Sequence, residues 1–121
     1  MNRLAATAVI LIFPFGAVTQ EDDSRFVPQG YITGQRFLEL QRNERLWAAS
    51  GAIDGLLGAT QFGAPLTRVM KLRNCLQDRN NGQVVAMIER FVRDRPEQWH
   101  VPFALLVSEA MATGCQYNPR E

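Results

Sequence analysis

The sequence predicts an all-α fold: a compact bundle of four to five helices held by one intramolecular disulfide, following a signal peptide that is cleaved. Three observations carry this. Apolar residues recur near the helical period in segment after segment beyond Thr33. No alternating stretch is long enough to make a strand. The only cysteines, Cys75 and Cys115, form an even count in a small chain with a secretory address, which reads as a disulfide. A metal pair and a reactive thiol are the alternatives for these two residues, although two thiolates and one distant histidine do not complete a four-ligand zinc site.

The address lies in residues 1–19. Arg3 precedes an apolar run from Leu4 through Phe13, Pro14 breaks it, and Gly16, Ala17 and Thr19 supply small residues. The run is too short to cross a hydrocarbon core, which takes about 20 helical residues, and Glu21, Asp22 and Asp23 follow directly. Cleavage leaves about 100 residues, enough for one domain and one modest core. Residues 20–30 read as an extended polar lead-in, 31–116 as the single helical domain and 117–121 as a tail.

A short helix starts near Thr33, whose hydroxyl can cap the following amides, with Phe37, Leu38 and Leu40 on its apolar side. The next runs from about Asn43, its candidate N-cap, to Gln61, with Leu46, Trp47, Ile53, Leu56 and Leu57 near the helical period, and ends at Gly63 and Pro65. A third spans Leu66 to about Cys75, where Val69, Met70 and Leu72 face inward. The run from Gln77 through Gly82 is the clearest loop, because asparagine and glycine tolerate turn conformations. From Gln83 to Asp94, Val84, Met87, Ile88, Phe91 and Val92 make one stripe opposed by Glu89, Arg90 and Arg93, and Pro96 ends that helix. The last begins near Pro102, suited to a first turn by its missing amide hydrogen, and runs to Thr113 before Gly114 stops it.

Charge excludes one class of partner. The chain carries 13 basic and 12 acidic residues, and removal of Arg3 with the leader balances them. Nucleic acid is therefore not expected as a partner, since its capture needs a basic surplus or stripe. No membrane association is expected after cleavage, and no metal or cofactor is expected.

Within the second helix, Gly51, Gly55 and Gly58 are costly, at about 1 kcal/mol each relative to alanine. Gly51 and Gly55 lie one turn apart, so another helix can approach closely there. Tight packing inside the monomer is the preferred reading, and a homodimer or partner groove is the other. Asp54 in the same segment must reach solvent or a donor such as Arg36, and reads as a structural carboxylate. His100, the single histidine, reads as a polar residue beside a packed Trp99. No catalytic residue is assigned. Most of Tyr31, Phe37, Trp47, Phe62, Phe91, Trp99 and Phe103 are expected to fill the core, and any left exposed are natural interface anchors.

Tyr31-Ile32-Thr33-Gly34 before a short helix, Gly51-Ala52-Ile53-Asp54-Gly55 in a long one, mid-chain Cys75, Gln83-Val84-Val85-Ala86-Met87-Ile88 leading to Arg95-Pro96-Glu97, and finally Ala110 and Cys115 occur in an order that resembles the Rap/Tai family of type VI secretion immunity proteins. The likeness covers about residues 30–116. It implies a small helical periplasmic protein, often dimeric, that binds a cell-wall amidase and blocks its active site, with the family cysteines mapping onto Cys75 and Cys115. The chain departs from the family where Arg73-Asn74-Cys75-Leu76 replaces a Phe-Cys-x-Pro run. The loop formed by Asp78, Arg79, Asn80 and Asn81 is the candidate contact surface, being polar, short and held close to Cys75. The expected class is thus a non-catalytic binding protein. A small stress chaperone is the second class, and a hydrolase using His100 with Ser108 or a carboxylate is the third.

Overall fold

The computed structural model describes residues 32–120. The predicted signal peptide at 1–19 and the polar lead-in at 20–30 lie outside the described residues. Among the described residues there are five α-helices and no strand: α1 (Gly34–Glu39), α2 (Arg42–Leu57), α3 (Leu66–Leu76), α4 (Asn81–Arg93) and α5 (Phe103–Gly114). Short 3₁₀ turns cover Ala59–Phe62 and Pro96–Gln98. The all-α bundle expected from the apolar periodicity is the fold observed.

The centre of the bundle is α5, which packs on α4 and α2, while α2 also lies along α4. Phe37, Ile88, Val92, Leu106, Val107 and Met111 are fully buried. Each such side chain contributes roughly 1.5–3 kcal/mol relative to exposure. The Phe37 and Phe103 rings stack with centroids 4.1 Å apart and planes 17° from parallel, joining α1 to the start of α5.

With only six residues, α1 is too short to stand alone, and the segment around Pro102 holds it in place. The Gly34 amide donates to the Val101 carbonyl at 3.1 Å, Gln35 to Trp99 at 2.9 Å, and Phe103 donates back to Ile32 at 2.9 Å. Thr33 Oγ1 accepts from the Arg36 amide at 3.3 Å, the cap its position predicts. Gly34 is needed here: a Cβ would fall 2.5 Å from Leu106 Cδ1 and 3.1 Å from Val92 Cγ1.

Four expected boundaries are corrected. The N-cap of α2 is Gln41, not Asn43, because Glu44 reaches back to accept from the Gln41 amide at 2.7 Å. The same helix stops at Leu57 instead of Gln61: Gly58 is its C-cap and a 3₁₀ turn continues to Gly63, whose φ of 89° only glycine adopts easily. The loop before α4 is shorter than Gln77–Gly82, since Asn80 is the N-cap and Asn81 and Gly82 are helical. Finally, Gly114 lies inside α5. It is the last helical residue, Cys115 is the C-cap, and the left-handed position of the stop is Gln116 at φ 56°. The Tyr117 amide then reaches the Ala112 carbonyl at 3.0 Å and the Gln116 amide reaches Thr113 at 3.4 Å, the paired bonds of a left-handed helix stop. A Cβ at Gly114 would press on Met87 Cε, the movable end of a side chain on the cleft wall.

Candidate partner-binding surface

The disulfide forms as expected, joining Cys75 in the last turn of α3 to Cys115 at the C-cap of α5 with Cα atoms 5.6 Å apart. This closes the metal-pair and free-thiol alternatives. Both cysteines face a cleft of about 660 Å³ whose walls include Asp78, Arg79, Met87, Arg90 and Gln116. Arg79 Nη1 donates to Met87 Sδ at 2.9 Å across it.

A second groove of about 450 Å³ shares Arg79 with the first and is lined by Asn81, Asp54, Ile53, Leu57 and Trp47. A third, of about 610 Å³, shares Trp47 with the second and is apolar, lined by Ile32, Leu40, Ala48, Gly51, Pro102 and Ala104 among others. Arg79 thus borders the first two depressions and Trp47 the second and third, and the groove between Trp47 and Arg79 forms a band along α2 and the start of α4.

Trp47 stands on that band with 75% of its surface exposed. The sequence placed it on the apolar face of α2, and the helical wheel explains the correction. At about 100° per residue, Trp47 points roughly 200° away from Ala49 and 240° away from Ile53, the two buried residues of α2. Gly51 and Gly55 fall on the same outer face. A Cβ at either would meet nothing within 4 Å, so the expectation of tight packing inside the monomer at these glycines is corrected too. Met70, expected to face inward, is 41% exposed, whereas its neighbours Val69 and Leu72 are buried.

Of the candidate contact residues, Asp78 and Arg79 line the disulfide cleft, and Arg79 and Asn81 line the second groove. The Asn80 side chain is used otherwise: its Oδ1 accepts from the Gln83 amide while Gln83 Oε1 accepts from the Asn80 amide, both at 2.9 Å. Asp54 is exposed and makes no ion pair among the described residues, reaching solvent as one of its two expected routes. Gly58 caps α2, Pro96 opens the 3₁₀ turn after α4, and Pro102 immediately precedes α5 and pairs with Thr33.

His100 and Ser108 are not brought into one site. His100 is exposed in the linker before α5. Ser108 lines a separate cavity of about 50 Å³ with Leu56, Arg68 and Tyr117. Burial pushes the Tyr117 phenol above its ordinary value of 10.0, and the Arg68 guanidinium pulls it partly back. Tyr117, assigned to a tail by the sequence, packs against the core. Gln83, Arg90 and Gln116 escaped sequence reasoning because Gln83 and Arg90 lie on α4 and Gln116 just past α5, and they line one cleft only once these two helices pack side by side. Among the described residues, no group of His, Cys, Asp and Glu has metal-binding geometry, and no helix is long and apolar enough to cross a membrane.

The fold and the surface define a disulfide-tied helical domain with an aromatic anchor displayed between grooves. No protein-family model, curated protein or solved structure matches the chain.

Proposed function

We propose that this protein is a non-catalytic periplasmic binding protein that engages another protein across the Trp47–Arg79 band, in the manner of the immunity proteins that bind and block a cell-wall amidase. The observation that carries the reading is Trp47, 75% exposed and shared by two grooves. Tryptophan and arginine dominate the residues on which binding energy concentrates, and both stand on this band. An inhibitor of this kind needs no reactive group, only a rigid surface that fills a cleft. The Cys75–Cys115 bond and the stacked Phe37–Phe103 pair supply rigidity, which reduces the ordering cost of association.

The test is titration of the disulfide-bonded protein against a peptidoglycan amidase encoded beside it, reading both complex formation and cell-wall hydrolysis. A stoichiometric complex with hydrolysis suppressed is expected. Trp47→Ala should weaken it about 30-fold or more, the loss typical of a central aromatic anchor. Failure of the complex and of inhibition would remove the amidase reading. A free-thiol form in a cytosolic fraction would remove the periplasmic one.

Phe62, 91% exposed, and Leu66, 65% exposed, favour a second reading as a stress chaperone that holds clients on apolar surface. Apolar-dye binding that rises reversibly at acid pH, together with suppressed aggregation of an unfolded client, would select it.

A further inference from the structure

We infer that the cleft beside the Cys75–Cys115 disulfide is a receptor for an acidic peptide segment, with Arg79 and Arg90 taking a carboxylate and neighbouring side-chain amides taking the peptide backbone. The inference rests on the binding-protein reading and deepens it by giving the chemistry of what this end of the surface accepts.

Three features converge there. The first is charge without a partner. Among the described residues the ion pairs are Arg36–Glu39, Arg45–Glu89 and Arg93–Glu89. Neither Arg79 nor Arg90 has a carboxylate within 4.0 Å, although Asp78 lines the same cleft. The hydrogen bond that Arg79 makes is to the Met87 thioether, a weak acceptor. Exchanging it for a carboxylate replaces a poor bond with a charge-assisted one.

The second feature is the lining. Asn74, Gln83 and Gln116 bring three primary amides to the cleft. Gln83 spends its carbonyl oxygen on the Asn80 amide and keeps its NH₂ group for another acceptor. Amides pair with peptide N–H and C=O groups, whereas a phosphodiester chain is captured by a basic surplus. Here two guanidiniums face one carboxylate, so the surplus is a single charge, suited to one acidic side chain.

The third feature is Gln116 itself. It occupies the left-handed position of the α5 stop at φ 56°, where glycine is the usual residue. A long amide side chain placed there and lining the cleft is consistent with use of that side chain, since the backbone alone would favour glycine.

Calorimetric titration of the disulfide-bonded protein tests this, using a doubly blocked hexapeptide that alternates glutamate with glycine, its glutamine counterpart, and inorganic phosphate. The glutamate peptide should bind saturably, about tenfold or more tighter than the glutamine peptide, as loss of a charged hydrogen bond implies. Arg79→Gln and Arg90→Gln should each weaken it about tenfold, with the helical circular dichroism spectrum unchanged. Gln116→Gly, whose backbone is relieved, should fold at least as stably and still bind several-fold more weakly. Equal affinity for the two hexapeptides, no saturation by either at millimolar concentration, or displacement by an equal concentration of phosphate would each overturn the proposal. No amidase enters this assay. Peptide binding without amidase capture defeats only the earlier reading, and amidase capture without peptide binding defeats only this one.

Discussion

Gly34 and Gly51 are the same residue used in opposite ways. The Gly34 Cα faces Leu106 and Val92, side chains with essentially no exposed surface that cannot retreat. Gly34→Ala should therefore cost about 1–3 kcal/mol, as overpacking does. Gly51 and Gly55 face open space, so Gly51→Ala and Gly55→Ala should each gain about 0.5–1 kcal/mol from helix propensity. Urea unfolding of the three variants gives the signs directly. A gain in stability accompanied by weaker partner binding at Gly51 or Gly55 would show that the outer face of α2 is kept bare for contact. The sequence made these glycines conspicuous but not their direction. In a helix whose apolar positions are spread around its circumference, Trp47 looks as inward as Ile53 until the neighbouring helices choose a side.

At the scale of elements, the helices were legible and their ends were not. Of the predicted α4 stripe, Val84, Ile88, Phe91 and Val92 are buried, while Met87 is only half-buried and lines the disulfide cleft. The start of α4 was displaced because Asn80 and Gln83, three residues apart, form a reciprocal cap that outweighs the turn preference of Asn81 and Gly82. Asn80→Ala should remove about 1 kcal/mol of stability and fray the first turn of α4, visible as faster amide exchange at Gln83. The α2 start had a weaker signal, since glutamine is an unusual cap and Asn43 a good one. Glu44 decides it by bonding the Gln41 amide. For α1 the decisive partners, the Trp99 and Val101 carbonyls, lie more than sixty residues further along the chain, beyond the reach of any local pattern.

For the whole molecule, the disulfide and the bundle were readable from two cysteines and one repeating period, while the grooves were not, because their walls come from four helices and several connecting segments. The bond spans a sequence separation of 40; closing such a loop is worth roughly 4 kcal/mol in the chain-entropy model. Reduction, or the paired Cys75→Ser and Cys115→Ser variant, should lower unfolding stability by up to that amount. Alkaline pH should act through Tyr117. Its phenol holds its proton more tightly folded than unfolded, so this contribution is complete below pH 10.0 and disappears as pH climbs through the raised folded value. Stability measured from pH 9 to 12 should fall more steeply for the parent than for Tyr117→Phe. The covalent ring between Cys75 and Cys115 also encloses the exposed Asp78–Arg79 loop. A tryptic nick after Arg79 would leave one unbroken molecule, heavier by a water, that separates into fragments only when a reductant is added. Digestion followed by mass spectrometry with and without reductant would therefore show whether an occupant of the neighbouring cleft shields that bond from the protease.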